Sequence, residues 1–347
     1  MISLHLAIKN HLLFGRDYLF TYGPLGVLRC RYPIVVSKYV YLASDLYFLF
    51  ILFTAFRLLI RRHFQAGAIV FLSVCVLICQ YMNIDKWYFF LLLFFLAAYL
   101  SEGGKLVYLL HAAVLSVICL YIKVNSGLVN IVFVLAFLHY ALFTRKIRWA
   151  GYGLFLVGYG ITLWLSAWLL HVDLPGYIEG SFQIMKDYQD AMYFPLWGRI
   201  GKIVGIGAGI ILLLLFGCYG IVAYHYWKVK RITTDTLDIL FIYGMVALAL
   251  FIWFKNAFVR GDSEHLFHFF QMAGPLVLLL YLYAPDGPFR KRIQAGYWLI
   301  LAVTVVVVNL LPTDLYPNSF RRLVDLSLAP EKVREVRTYF KGLAGYD

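Results

Sequence analysis

The chain has 347 residues, of which 63% are hydrophobic and only 14% are charged, and its mean hydropathy is +0.78. A soluble domain carries about 25% charged residues, so this composition excludes an ordinary soluble protein. Several apolar runs approach or exceed the roughly 18 residues that cross a bilayer, and they do not alternate as the strands of a closed β-barrel do. Composition therefore predicts an all-α fold, a polytopic transmembrane helix bundle.

Residues 1–38 precede the first long apolar run and are predicted to form an interfacial helix followed by a loop. Ile2, Leu6 and Leu13 fall near one face of an amphipathic segment, which is typical of a helix in the plane of the membrane interface. Arg16 and Asp17 then precede a turn of sequence Tyr-Gly-Pro-Leu-Gly, in which Gly-Pro imposes a bend. Either the turn holds Asp17 over a cavity, or Asp17 pairs with Arg16 or caps a short helix.

Apolar segments account for most of residues 39–312 and predict a bundle of about ten spans. Their approximate limits are 39–60, 65–82, 87–100, 106–121, 127–143, 149–170, 203–227, 236–254, 266–284 and 295–312. Residues 313–347 form a tail that is predicted to contain an amphipathic helix on the membrane surface.

Orientation follows from the basic residues, which cluster in alternate short loops and so mark the cytoplasmic side. These loops contain Arg61 and Arg62; Lys105; Arg145, Lys146 and Arg148; Lys228, Lys230 and Arg231; and Arg290, Lys291 and Arg292. This distribution explains the net charge of +13 without a nucleic-acid partner. Residues 1–38, the loop 171–202 and the tail are then predicted to lie outside.

This topology has a consequence for the amino terminus. Residues 1–38 would have to cross the membrane without a preceding span, so we expect that one N-terminal span is missing from this chain. The alternative is that the segment is simply an interfacial anchor.

The loop before the ninth predicted span is the second candidate site. It contains Arg260, Asp262, Glu264 and His265, and His268 follows on the same helical face as His265. The planar fork of Arg260 suits a phosphate or diphosphate. Asp262, Glu264 or His265 has the chemistry of a base or of a metal ligand. A salt-bridged structural loop is the alternative, and the spacing contains no metal-binding motif.

Two further groups of polar residues are candidates for substrate binding. Asp187 and Asp190 belong to the outer loop 171–202, where acidic and aromatic residues interleave as in many carbohydrate sites and in ordinary interfacial loops. Lys123 lies where two apolar spans meet, so it either extends to the interface or neutralises a lipid phosphate.

Three short stretches carry a resemblance to a known family. The segment Gly15-Arg-Asp-Tyr-Leu-Phe-Thr-Tyr-Gly-Pro-Leu-Gly26 resembles the first outer loop of poorly characterised bacterial membrane proteins. These proteins look like distant members of the GT-C superfamily of polyprenyl-phosphate-sugar glycosyltransferases. The Arg260-x-Asp-x-x-His265 pattern and the stretch Asp187-Tyr-Gln-Asp-Ala-Met192 are similar to further loops of that group.

The resemblance implies a bundle of about eleven or more spans with a catalytic pocket on the outer face of the bacterial inner membrane. The donor would be a polyprenyl-phosphate-linked sugar in the membrane lipid, and the acceptor an envelope glycan, lipid or protein. Catalytic roles are expected for Asp17, Asp262 and His265. The group's pattern also places an Asp-Ser-Trp about twenty residues upstream, which this chain starts too late to contain, so the resemblance implies that either Asp17 or that upstream acid is the base.

Substrate contacts are expected for a larger set of residues, namely Arg16, Tyr22, Lys123, Asp187, Asp190, Arg260, Glu264 and His268. Two other functions stay open. A lipid transporter or flippase predicts charges buried within the spans. A non-catalytic partner in envelope polysaccharide assembly predicts that the candidate residues do not converge.

Overall fold

The computed structural model describes residues 2–29, 36–62, 83–192, 198–229, 234–260, 263–283 and 290–310, with Arg334 and Thr338. This part of the chain is all-helical, and its only β-structure is three isolated bridges. The α-helices are α1 Ile2–Lys9, α2 Lys38–Arg62, α3 Ile84–Ser101, α4 Leu106–Ile122, α5 Val124–Phe143, α6 Trp149–Leu169, α7 Leu174–Met192, α8 Gly198–Val229, α9 Thr234–Arg260, α10 Ser263–Leu282 and α11 Arg290–Leu310. A short 3-10 helix covers Pro24–Leu28.

Six of these helices contain a segment long and apolar enough to cross a membrane. The segments are Lys38–Leu59, Ile84–Ser101, Val124–Phe143, Trp149–Leu169, Val204–Tyr224 and Asp235–Phe258. Shorter apolar helices are Leu106–Ile122, His268–Leu282 and Ile293–Val306. These nine segments coincide with nine of the ten spans predicted from the sequence; the other, 65–82, lies outside the described residues. Several long apolar helices indicate a multi-pass membrane protein.

Helix α3 lies at the centre of the described bundle, packed by α2, α4, α5, α9 and α10. All residues from Leu91 to Ala98 are buried, since every face of this helix meets another helix. By contrast, α6 exposes large apolar side chains such as Trp164 and Trp168. An apolar surface of this kind suits contact with lipid.

Helices α4 and α5 form a tight hairpin that reverses at Lys123. This residue adopts an extended conformation with φ −151° and ψ 114°. Just beyond the turn, Gly127 packs directly on the backbone of Leu120, where a Cβ would collide. The two apolar runs therefore meet at a one-residue turn, as the position of Lys123 between predicted spans indicates.

The segment predicted as outer loop 171–202 contains a helix, α7. Tyr177 and Ser181 are buried on one side, whereas Glu179 and Phe182 are exposed on the other. Helix α7 is therefore amphipathic. Its acidic residues make it too polar for a span but suitable for a helix that lies against the bundle. A helix is present near the amino terminus, α1, with Leu4 and Ala7 buried and Ile2 and Leu6 exposed; its place at the membrane interface stays a prediction.

Candidate functional site

Residues 14–29 form an ordered segment that we call the cap. One end of the cap is fixed to the junction of α6 and α7 by a short parallel bridge between Phe14 and Val172. The amide of Phe14 donates to the carbonyl oxygen of His171 at 3.1 Å, and the amide of Asp173 donates to the carbonyl oxygen of Phe14 at 2.8 Å. These backbone bonds hold the start of the cap in place, and the buried side chain of Phe14 packs beside them.

The other end of the cap is fixed to the tip of the α4–α5 hairpin. The amide of Gly23 donates to the carbonyl oxygen of Ile122 at 3.2 Å, and the amide of Val124 donates to the carbonyl oxygen of Thr21 at 3.1 Å. Since the hairpin tip carries Lys123, the cap marks one end of the bundle, here called the cap end. The loops with Lys105 and Arg145 mark the opposite, basic end.

The glycines of the cap are required by close backbone packing. Gly15 has φ +94°, and a Cβ there would lie 2.5 Å from the carbonyl oxygen of Asp173 and 2.5 Å from the amide nitrogen of Tyr177. A Cβ at Gly23 would lie 2.5 Å from the hydroxyl oxygen of Tyr177 and 2.6 Å from the carbonyl oxygen of Tyr121. Real side chains do not tolerate such distances, so these two positions need glycine.

Asp17 closes a turn at the exposed side of the cap. Its carboxylate accepts from the amide of Leu13 at 3.1 Å and from the Arg16 guanidinium at 3.0 and 3.3 Å. The hydrogen bond from Arg16, and then the one from Leu13, hold the pKa of Asp17 below its usual value. The structure therefore shows the pairing with Arg16 that the sequence left open, and the catalytic role of Asp17 stays a prediction.

Tyr22 and Lys123, two residues expected to bind substrate, come together at the cap end. They form an antiparallel bridge, and the Lys123 Nζ lies 5.5 Å from the centre of the Tyr22 ring. A third residue joins them: the Arg29 guanidinium carbon lies 5.2 Å from the same ring centre, and its Nη1 donates to the Tyr22 hydroxyl. Sequence reasoning did not select Arg29, although a basic residue directly after the Gly-Pro turn was a visible signal.

The second candidate cluster is described only in part. His265 and His268 share a face near the start of α10, with ring centres 5.9 Å apart, and His268 Nδ1 lies 3.2 Å from Gln271 Oε1. Asp262 lies outside the described residues, as do the side chains of Arg260 and Glu264. Convergence of this cluster with Asp17 stays a prediction.

Two other expectations concern α7 and metal binding. Asp187 and Asp190 belong to α7, and their side chains lie outside the described part of the chain. Within the described residues, His, Cys, Asp and Glu form no group of three or more that could hold a metal ion.

The structure also reveals buried ionisable residues that the sequence prediction left just before the third span, 87–100. Helix α3 begins at Ile84, three residues before the predicted span, and Asp85 and Lys86 are each only 2% exposed. The Lys86 Nζ lies 5.9 Å from the centre of the Trp253 ring on α9. Burying charge is costly, so ionisable residues inside a membrane bundle usually have a function.

Polar groups of α4 and α5 surround Asp85. The thiol of Cys119 donates to the backbone carbonyl of Asp85, with a sulfur–oxygen distance of 3.9 Å. Phe89 on α3 and Phe133 on α5 meet edge to face, with ring centres 5.8 Å apart. One turn nearer the cap end, the same two helices carry Asp85 and Asn130. Asn130 is completely buried, and neither its amide atoms nor Asp85 Oδ1 makes a hydrogen bond within the described structure.

The basic end of the bundle is held by structural interactions. Lys146 Nζ lies 2.9 Å from Asp238 Oδ2, and the Tyr140 hydroxyl donates to Asp238 Oδ1 at 2.7 Å. The Tyr140 ring stacks on Phe241 with centres 4.0 Å apart. These contacts join α9 to α5 and to the turn that follows α5. No candidate site residue takes part in them.

Fold and site together define a helical, multi-pass membrane protein with an ordered cap docked on a helical hairpin. No protein-family model, no curated protein and no solved structure matches this chain. The function therefore has to be argued from the chain's own residues.

Proposed function

We propose that the protein is an integral membrane glycosyltransferase of the GT-C kind, or a degenerate relative of one. It would transfer a sugar from a polyprenyl-phosphate donor to an envelope acceptor at the outer face of the bacterial inner membrane. One observation carries the proposal: the cap places Tyr22 against Lys123 at the end of the bundle opposite the basic loops. A cation at this level suits the phosphate of a lipid-linked donor.

The proposed reaction needs a base and a group that stabilises the leaving phosphate. The acceptor hydroxyl oxygen attacks the anomeric carbon of the sugar, the bond from that carbon to the phosphate oxygen breaks, and polyprenyl phosphate leaves with the bonding electrons. A base takes the hydroxyl proton. Lys123, with Arg260, would stabilise the negative charge on the leaving phosphate.

Among the three candidate bases, Asp17 is the least suited. A general base works best with a pKa near the operating pH, whereas the bonds from Arg16 and Leu13 lower the pKa of Asp17. Asp262 and His265 are therefore favoured, and Asp17 is assigned to the turn that supports the cap.

Donor turnover in proteoliposomes tests this proposal. The purified protein is reconstituted with polyprenyl-phosphate sugars labelled in the sugar, and an extract of envelope lipids and glycans is added as acceptor. We expect release of polyprenyl phosphate together with a labelled product. Lys123→Met should reduce the rate about tenfold or more, because it removes a charge from the leaving group.

Lys105→Met is the matched control, since Lys105 is exposed at the basic end and pairs only with Glu102 among the contacts described, at 3.4 Å. It should leave turnover unchanged. Absence of turnover with a folded protein, or equal rates for the two variants, would contradict the proposal.

A lipid transporter or flippase is the second candidate, and the buried pair Asp85 and Lys86 favours it. Transporters carry ionisable residues within their spans, and the sequence placed these two outside a span. This function predicts that labelled lipid crosses the bilayer of the proteoliposome without any change in its chemistry. Asp85→Asn should then slow the crossing. A non-catalytic partner, in turn, predicts neither turnover nor crossing.

A further inference from the structure

We propose that the turn between α5 and α6 binds an anionic phospholipid through Arg145 and Arg148. The inference goes beyond the proposed function, because this turn lies at the basic end of the bundle and the proposed reaction belongs to the cap end. The occupant is a membrane lipid whose phosphate meets the two arginines and whose acyl chains lie along α6.

The turn holds its two middle residues inward and presents the residues on either side of them. Lys146 is engaged with Asp238, with 2.9 Å between Nζ and Oδ2, and Ile147 packs against the hydrophobic core. Arg145 and Arg148 are exposed. Since the middle residues anchor the turn, the two arginines project from a fixed backbone toward the surroundings of the bundle.

The two arginines carry positive charge that the described protein does not neutralise. Within the ranges that the structure describes, no carboxylate pairs with Arg145 or Arg148, whereas Lys105 and Lys146 at the same end each have an acidic partner. A guanidinium presents a planar fork of N–H donors that matches the oxygens of a phosphate. Two such forks three residues apart suit a phosphate group that carries a net negative charge.

The backbone at Arg145 has a conformation that favours glycine. Its φ is +58°, in the left-handed region. Its amide donates to the carbonyl oxygen of Leu142 at 3.0 Å, and the amide of Lys146 donates to that of Ala141 at 2.8 Å. In this pattern at a helix end, glycine usually occupies the left-handed position. An arginine there strains the backbone, which points to a role for its side chain.

Exposed aromatic and apolar side chains continue the turn into a surface for acyl chains. Phe143 and Trp149 flank the turn and are 81% and 76% exposed. Tryptophan is enriched where a membrane meets water. Further along α6, an exposed stripe contains Leu154, Val157 and Ile161. Their spacing of three and four residues keeps them on one face of the helix, so the chains of a lipid held at the turn can lie along it.

Native mass spectrometry of the full chain in detergent measures the lipids that it retains. Offered equal amounts of phosphatidylglycerol and phosphatidylcholine, the wild-type protein should retain phosphatidylglycerol preferentially. A basic residue near an anionic headgroup strengthens binding about fivefold. Arg148→Gln should therefore bind phosphatidylglycerol about fivefold more weakly, and the double variant with Arg145→Gln about 30-fold. Retention of phosphatidylcholine should change little, because this lipid has no net charge.

Two further variants make the result specific to this turn. Arg145→Gly removes the charge and relieves the left-handed strain, so it should fold as the wild type does and still lose phosphatidylglycerol. Arg61→Gln is the matched control, since Arg61 is an exposed arginine on α2, at the same end of the bundle. It should retain lipid as the wild type does. Equal retention by the wild type and the folded double variant, or an equal loss in Arg61→Gln, would overturn the proposal.

A competition experiment tests whether the ligand is a lipid or an anion alone. Glycerophosphoglycerol has the same headgroup without acyl chains, so it cannot occupy the stripe on α6. An excess of it should displace little of the bound phosphatidylglycerol. Complete displacement at an equal concentration would overturn the lipid as the ligand.

Discussion

Substitution of Gly15 by alanine should detach the cap from the bundle. Gly15 has φ +94°, where a residue with a Cβ is strained by roughly 1–2 kcal/mol. The Cβ would also lie 2.5 Å from backbone atoms of Asp173 and Tyr177, which cannot move as a flexible side chain can. Overpacking of this kind costs about 1–3 kcal/mol. The two terms together give about 2–5 kcal/mol, or a shift of roughly 30-fold or more in the docking equilibrium.

Hydrogen exchange of the cap amides measures this shift. The amides of Phe14 and Gly23 are bonded to carbonyls of other segments, so their exchange reports the undocking of the cap. In Gly15→Ala both should exchange about 30-fold faster or more. Gly153→Ala is the control, because Gly153 lies in α6 with open space around its Cβ position. If exchange in Gly15→Ala matched that of the wild type, the reasoning from close backbone packing would be refuted.

Two further predictions concern charged groups. The folded protein lowers the pKa of Asp17, so the hydrogen bonds of this carboxylate stabilise the turn fully above the unfolded pKa of about 3.9. This stabilisation is lost as the pH falls through the lower pKa of the folded state. Proteolysis of the cap at pH 3 and pH 7 should therefore differ in the wild type but not in Asp17→Asn. At the basic end, Asp238→Ala should lower the free energy of unfolding by about 2 kcal/mol, because it strands the donors of Tyr140 and Lys146. Chemical unfolding measures this loss, and the exposed Asp235→Ala should show almost none.

Apolar run length predicted the described apolar helices well, because a helix that crosses a bilayer needs about 20 mostly apolar residues. It placed the start of α3 three residues late, since Asp85 and Lys86 look like loop residues until their partners on neighbouring helices are known. For the same reason α7 was predicted as a loop. Its acidic residues hide a helical periodicity whose buried face is defined by contact with the cap and with neighbouring helices.

The candidate site was predictable only as separate pieces. The turn of the first loop and the position of Lys123 could be identified from the sequence. Their contact depends on backbone bonds between segments about a hundred residues apart, such as Gly23 with Ile122. The contact of Arg29 with Tyr22 likewise appears only in the structure. No local pattern distinguishes an arginine over a tyrosine ring from an ordinary interfacial arginine.

Photo-crosslinking of a polyprenyl-phosphate sugar is the measurement that tests the central claim most directly. A donor analogue with a diazirine next to the phosphate is incorporated into proteoliposomes with the protein, and the labelled peptides are mapped by mass spectrometry. The account predicts that label concentrates in residues 14–29 and at the hairpin tip around Lys123, and that excess unlabelled donor prevents it. Label confined to the basic end, or spread evenly over the lipid-facing helices, would contradict it.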